Sequence, residues 1–172
     1  LCSLCENPFS YQISGKHYVK QRSGRIYFSE KTVPAAPFCT DPGVKKAAIP
    51  GGTVTTEIIS RDTLDFYKKN NKDILDICVD YDKISNNYFF RSRKPSDVFT
   101  SAKRKNSKTL KKLLNEEAVP EELRNAVVIL DSDGIPAFAE GNGPAQFACV
   151  TPSSCNIMVI RIERKDMCIF EK

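Results

Sequence analysis

Basic side chains are concentrated in one stretch of the sequence. Nine of the 26 lysines and arginines fall between Arg91 and Lys112, where Asp97 is the only acid. This window carries a charge of +8, and the other 150 residues together carry −3. A positive cluster on an otherwise slightly acidic chain indicates a surface that meets a polyanion, of which nucleic acid is the commonest. The alternative is a basic loop and helix face that contacts only solvent.

Residues suited to catalysis are scarce. The chain has one histidine, His17, and it contains no glycine-rich phosphate loop and no G-x-S-x-G nucleophile motif. Asp80 and Asp82 would share one face of a strand and allow a carboxylate pair, although solvation or an ion pair with Lys83 explains them more simply. The sequence by itself therefore favours a binding module over a complete enzyme.

The cysteines predict neither a disulfide framework nor a metal site. There are seven, an odd number at irregular spacing, in a chain long enough to build a core without crosslinks. Cys2 and Cys5 form a lone C-x-x-C, and His17 lacks metal-ligand spacing to it. We expect reduced thiols, as in a cytoplasmic protein, with Cys78 buried as a small hydrophobic residue.

Length and composition favour one substantial core or two small lobes. The chain has 172 residues, of which 41% are hydrophobic and 27% charged. No apolar run approaches the roughly 20 residues of a membrane span, and the start lacks the features of a secretion signal. A start at Leu1 is typical of a processed or cut product, so a fragment of a longer protein is expected.

The elements predicted to position these residues are mainly strands. Short strands at 11–13, 18–20 and 26–28 form a meander, followed by a proline-rich loop at 33–52. A strand at 54–59 and a short helix at 63–69 come next, and 74–84 is expected to be extended. We divide the chain into a strand-rich lobe, 1–60, and a C-terminal domain, 61–172.

The second half has clearer signals. A strand at 88–93 leads into the basic loop, and Asn106 or Ser107 is suited to cap a helix over about 108–118, in which apolar residues at helical spacing face the core. Pro120 suits the start of a short second helix. Strands at 127–130 and 135–139 flank a turn, and 156–163 supplies a closing strand. The expected class is α+β, a β-rich small sandwich or mixed sheet with one or two short helices.

Several motifs resemble the C-terminal region of bacterial tRNA(Ile)-lysidine synthetase. Residues 80–84 read D-Y-D-K-I, and residues 90–99 read F-R-S-R-K-P-S-D-V-F, similar to the family's R-x-R-x-P-G-D-x-F turn. The basic helix follows at 103–114, then A-V-P-E-E-L-R at 118–124 and a hairpin. Three positions depart from the pattern. Ser96 and Asn106 replace glycines and Val98 replaces an arginine, so Ser96 would be strained if its φ were positive.

The resemblance implies a fold and a partner. The family's C-terminal region is a small β-sandwich with a helix, also seen in the β chain of phenylalanyl-tRNA synthetase. It binds the acceptor-stem side of a tRNA(Ile) with a CAU anticodon, while an N-terminal catalytic domain uses ATP and Mg to join lysine to C2 of the wobble cytidine. The adenylation motif S-G-G-x-D-S of that domain is absent from this sequence. We therefore expect a tRNA-binding part that is inactive alone, with no membrane partner and with a homodimer left open.

A basic loop followed by a helix with lysines on one face suits the shallow minor groove of an A-form stem. The predicted contact residues are Arg91, Arg93, Lys94, Lys103, Arg104, Lys105, Lys108, Lys111, Lys112 and Arg124. Asp97 is expected to cap the turn that contains Pro95, or to pair with an arginine. For Arg124 the alternative to a contact is an ion pair with Glu121. Four aromatic residues interleave with the basic ones and either stack on unpaired bases or are buried in strands: Tyr88, Phe89, Phe90 and Phe99. An acidic protein partner and a generic RNA- or DNA-binding role remain alternatives.

Overall fold

A three-stranded antiparallel sheet forms the N-terminal part of the protein. The computed structural model describes residues 9–14, 17–22, 25–30, 34–71, 73–103, 106–165 and 169–170. Within these, β1 (Phe9–Ser14), β2 (His17–Arg22) and β3 (Arg25–Glu30) pair in the order β1-β2-β3. The predicted meander is confirmed.

Two four-stranded sheets make up the main body. The first has the order β4-β5-β13-β6 and the second has the order β12-β11-β10-β7. The strands that follow β3 are β4 (Lys46–Ile49), β5 (Gly52–Ser60), β6 (Cys78–Asp80), β7 (Phe89–Arg91), β8 (Val98–Phe99), β9 (Lys108–Thr109), β10 (Ile129–Ser132), β11 (Ile135–Ala139), β12 (Gly143–Pro144) and β13 (Asn156–Arg164). The short strands β8 and β9 pair with each other, outside both larger sheets.

The two sheets pack face to face, and one helix covers the outer face of each. Met158 and Ile160 of β13 share a core with Phe90, Leu130 and Phe138 of the second sheet. The alternate residues of β13, Ile157 and Val159, pack instead against Leu64 of helix α1 (Arg61–Asn70). Because both of its faces are covered, β13 has the continuous apolar run I-M-V-I in place of alternation. The α+β sandwich predicted from the sequence is confirmed.

Helix α2 (Leu110–Glu116) covers the outer face of the second sheet. Its residues Leu110, Leu113 and Leu114 pack with Ile129 and Ala139, as the apolar spacing predicts. The predicted start of this helix is wrong, because residues 108 and 109 form β9 and pair with β8. The side chain of Thr109, and not that of Asn106 or Ser107, caps the helix by accepting a hydrogen bond from the Lys112 N–H at 3.4 Å.

Three further elements differ from the sequence predictions. The proline-rich loop contains β4, which forms a hairpin with β5. Only Cys78–Asp80 of the stretch expected to be extended is a strand, and 3₁₀ turns at Ile74–Ile77 and Tyr81–Lys83 flank it. Pro120 precedes a 3₁₀ turn at Glu121–Leu123 and does not begin an α-helix.

Strand β13 pairs with β5 along its whole length, from Asn156 opposite Ser60 to Arg164 opposite Gly52. The division drawn at residue 60 therefore separates two neighbouring strands of one sheet. No helix among the described residues is long and apolar enough to cross a bilayer.

Candidate nucleic-acid interface

The exposed face of α2 carries two lysines. Leu110, Leu113 and Leu114 direct the other face of the helix into the core, so Lys111 and Lys112 are left in solvent. Neither ammonium group has an ion pair with any residue that the structure describes. Their charges are therefore available to an anionic ligand.

Three other predicted lysines lie close to carboxylates, and of these Lys94 and Lys103 are exposed whereas Lys108 is half-buried. Lys103 Nζ lies 2.5 Å from a carboxylate oxygen of Asp76, and Lys108 Nζ lies 2.8 Å from Glu116. Lys94 is more than half exposed, and its Nζ is 4.0 Å from Asp131. The pairs of Lys103 and Lys108 lie at the surface, where an ion pair contributes about 0–1 kcal/mol and exchanges readily with another anion, and Lys94 is only at the outer limit of contact with the buried Asp131. Lys94, Lys103 and Lys108 thus remain candidate contacts.

Arg91 is buried and does not belong to this surface. Its Nη1 and Nη2 donate to the two carboxylate oxygens of Asp97 at 2.7 and 2.8 Å, and its Nε donates to Asp131 at 2.5 Å. Only 3% of Arg91 is exposed. Burial by itself lowers the pKa of Arg91, but the hydrogen bonds with Asp97 and Asp131 outweigh it and raise the pKa above the ordinary value. The predicted phosphate contact of Arg91 is corrected, because both donor edges of its guanidinium are bound within the protein.

Asp97 links the turn to α2. Besides pairing with Arg91, its carboxylate accepts a hydrogen bond from the Lys94 N–H at 2.6 Å, which closes the turn around the exposed Pro95. The carbonyl of Asp97 accepts from the N–H of Leu110 at 3.0 Å, at the first residue of the helix. Both roles expected of Asp97, capping and pairing, are present, and together they fix Lys94 relative to the lysines of α2.

The remaining arginines of the predicted set lie elsewhere. Arg124 is 6% exposed and its Nε donates to the carbonyl of Val119 at 3.2 Å, so its predicted contact is also corrected by burial. Arg93 is half-buried, and its buried Nε has no hydrogen-bond partner in the part of the chain that the structure describes. Arg104 and Lys105 lie outside the described residues, as do Cys2, Cys5 and Cys168 of the cysteine analysis.

The four aromatic residues that interleave with the basic ones are mostly core residues. Tyr88, Phe90 and Phe99 are 1–4% exposed, so the burial alternative is confirmed for these three and the stacking alternative is excluded, and Phe89 is half-buried. Phe147, which is not among the residues predicted from the sequence, is 43% exposed. Phe147 lies outside any alternating pattern of apolar and polar residues. No periodic signal in the sequence therefore indicated that its side chain is exposed.

Phe147 lines a groove beside the short sheet β8-β9. The groove has a volume of about 530 Å³ and is lined by Val98, Thr100, Ile135, Pro136, Ala145, Gln146 and Phe147. Val98 and Ile135 are each more than half exposed. The groove is thus an open depression with a mainly apolar lining, to which Thr100 and Gln146 add polar groups.

The carboxylates of Asp80 and Asp82, considered above as a catalytic pair, are each bound by neighbouring side chains. Asp80 is buried, accepts a hydrogen bond from Ser154 Oγ at 2.5 Å and lies 2.9 Å from Lys83 Nζ, as the ion-pair alternative expected. Asp82 accepts from the Asn156 side chain at 2.8 Å, and this bond is the main cause of its lowered pKa. Within the described ranges no three His, Cys, Asp or Glu side chains are grouped to hold a metal ion.

Two of the departures from the family motif cause no backbone strain. Among the described residues other than glycine, positive φ angles occur at Ala118 and Asp133, and not at Ser96 or Asn106. The third departure changes the surface, since Val98 presents an apolar side chain where the family commonly has arginine.

Comparisons with known proteins relate this part of the chain to one domain family. The family model of the TilS substrate C-terminal domain matches residues 89–162, which run from β7 through β13 and include the turn, the groove and α2. Residues 89–162 are therefore similar to that domain family. A tRNA(Ile)-lysidine synthase of Clostridium tetani (strain Massachusetts / E88) is 35% identical over 92 residues, which are 54% of this chain and 20% of that protein. The chain thus spans about a fifth of the length of this curated relative.

The fold has a solved counterpart. A structure described as the crystal structure of TILS C-terminal domain superposes with a TM-score of 0.62 at 17% identity, over 77% of this chain and all of that one. The aligned share of this chain exceeds residues 89–162. The sandwich is therefore the fold of a TilS C-terminal domain, and the resemblance inferred from the motifs is confirmed.

Proposed function

We propose that this TilS C-terminal domain binds tRNA(Ile) through the surface formed by Lys94, Lys103, Lys108, Lys111 and Lys112, here called the lysine surface. One observation carries the proposal. Asp97 ties the Lys94 turn to the start of α2, so exposed cations from two segments are held in a fixed arrangement. A fixed arrangement of cations suits a ligand with regularly spaced phosphates.

The chemistry of the surface favours an RNA stem. An A-form helix offers phosphates and 2′-hydroxyls across a wide, shallow minor groove, and a protein can recognise it by shape without reading bases. Lysine ammonium groups act as point charges toward phosphates and tolerate small differences in helix geometry. We assign the acceptor-stem side of a tRNA(Ile) with a CAU anticodon as the ligand, by analogy with the family.

In this proposal the chain contributes binding and not bond formation. The parent enzyme would carry an N-terminal domain that uses ATP and Mg to adenylate C2 of the wobble cytidine, after which the ε-amine of lysine displaces AMP. The lysine surface would hold the far end of the same tRNA and so keep the anticodon in the catalytic domain. We assign no ATP or Mg ligand to the described residues.

The test is a pair of double charge reversals. Lys111→Glu with Lys112→Glu changes the lysine surface, and Lys45→Glu with Lys46→Glu makes the same charge change at the exposed start of β4, in the other sheet. Binding to the tRNA(Ile) transcript is measured across a salt series, beside an unrelated tRNA and a plain RNA duplex. Circular dichroism confirms that both variants are folded.

We expect the α2 variant to lose affinity strongly and its salt slope to fall by roughly 1.4 to 1.8, which is about 0.7–0.9 per lost phosphate contact. The β4 variant should bind nearly as the unchanged protein does. Equal losses in the two variants would show that binding follows net charge alone. Equal, weak binding of all three RNAs would reject the tRNA proposal and favour an acidic protein partner.

A further inference from the structure

The groove beside β8-β9 combines an apolar lining with one free amide. Val98, Ile135, Pro136 and Phe147 supply apolar surface, with Ala145 also lining the groove. The exposed side chain of Gln146 has no hydrogen-bond partner among the residues described. Thr100, by contrast, already shares a hydrogen bond of 2.7 Å with Ser107. The groove thus offers a flat aromatic ring and one amide able to donate and accept.

Strand pairing brings this groove next to the lysine surface on two sides. Val98 lies opposite Thr109, the residue that caps α2 just before Lys111 and Lys112. Pro136 lies opposite Asp131, whose carboxylate is 4.0 Å from Lys94 Nζ. A ligand in the groove would therefore lie beside the segment that carries Lys94 and beside the start of the helix that carries Lys111 and Lys112.

We infer that this groove holds an unpaired base of the bound RNA, and that Phe147 stacks on it. The inference rests on the proposed function and adds a second kind of contact to it. An apolar groove beside segments that carry cations complements a nucleotide, which joins a flat apolar ring to an anionic phosphate. The Gln146 amide can bond the edge of a splayed base, as amides do when proteins recognise single-stranded RNA.

The single-stranded 3′ end beside the acceptor stem is the segment of tRNA that fits this arrangement. A duplex hides its base faces in the stack, so a stem alone cannot fill the groove. A stem gripped by the lysines with a free 3′ strand next to it would supply the phosphates and the unpaired base together. The lysines then supply affinity for any stem, and the groove supplies a preference for a stem with an overhang.

The experiment compares two RNA hairpins that differ only in a four-nucleotide 3′ overhang, one base of which is the fluorescent analogue 2-aminopurine. The test variant is Phe147→Ala, and the matched control is Phe66→Ala, an exposed phenylalanine on α1, which packs against the other sheet. Phe147→Leu keeps an apolar side chain without the ring. Circular dichroism confirms folding, and light scattering reports self-association.

We expect the unchanged protein to bind the overhang hairpin more tightly than the blunt one and to quench the fluorescence of the 2-aminopurine. Phe147→Ala should lower affinity for the overhang hairpin by about 5- to 150-fold, the range for loss of one stacked base, and leave the blunt hairpin unaffected. Phe147→Leu should also lose quenching. Phe66→Ala should change neither affinity.

Equal affinity for both hairpins, or no effect of Phe147→Ala, would overturn the inference while leaving the proposed function standing. Absence of salt-dependent binding to either hairpin would overturn both. Self-association that disappears in Phe147→Ala would assign the groove to a second copy of the chain, and would also overturn the inference.

Discussion

Replacing Asp97 by alanine should destabilise the whole domain. The change removes the carboxylate that accepts two hydrogen bonds from Arg91, at 2.7 and 2.8 Å, and one from the Lys94 N–H at 2.6 Å. Asp97 and Arg91 are both about 95% buried or more. Breaking a buried ion pair by removing one partner typically costs about 3–5 kcal/mol, since the remaining charge stays in a poorly solvating site.

The lower end of that range applies here. Asp131 still accepts from Arg91 Nε at 2.5 Å, so the guanidinium keeps one of its two carboxylates. We therefore expect a loss of about 3 kcal/mol in the free energy of unfolding, a large share of the roughly 5–15 kcal/mol of a typical domain.

The assay is urea denaturation followed by circular dichroism. Glu57→Ala is the matched control, because it also removes a carboxylate from an arginine pair, with Arg161 at 2.7 Å, but at a half-exposed site. This control should cost only about 0.2–1 kcal/mol. If Asp97→Ala and Glu57→Ala have the same small effect, the assignment of Arg91 and Asp97 as a structural pair is refuted.

Three further outcomes follow, one from the backbone and two from a buried thiol. Ala118→Gly should raise the free energy of unfolding by up to about 1 kcal/mol in the same assay, since Ala118 holds a φ of 56° after α2, where glycine is unstrained; a loss of stability would contradict this. Burial raises the pKa of Cys78 from 9.0 to about 12. Peptide mapping after iodoacetamide treatment at pH 8 should therefore find Cys39 and Cys155 alkylated and Cys78 intact. The stabilising effect of the protonated Cys78 thiol should be complete below pH 9 and decline as the pH rises toward 12, so a stability that increases over that interval would be inconsistent with burial.

Local signals in the sequence predicted the elements whose structure depends on near neighbours. The apolar spacing of Leu110, Leu113 and Leu114 predicted the buried face of α2, and the turn with Asp133 and Gly134 predicted the hairpin. Both turn residues have positive φ angles, 52° and 84°, as a tight two-residue hairpin turn requires.

Features that depend on distant partners were not predictable in the same way. Arg91 sits in a basic window that looks like a contact surface, and of its two carboxylate partners only Asp97 lies within that window, whereas Asp131 is 40 residues further along the chain. An arginine is equally suited to a phosphate and to a buried carboxylate, so only the tertiary fold decides between them. The groove was also not predictable from local signals, because its lining residues Val98, Ile135 and Phe147 come from three separate segments of the chain.

The position of β13 constrains how the protein can fold as it is synthesised. This strand lies between β5 and β6 in its sheet, although it follows both of them in the chain. In its pairing with β5, Asn156 lies opposite Ser60. A loop of nearly a hundred residues must therefore close before these two strands can form hydrogen bonds. Until residue 164 is available, β5 and β6 each present an open edge to other chains. The domain therefore depends on its final strand to close its own core, and a nascent chain that stalls before β13 would be prone to aggregate.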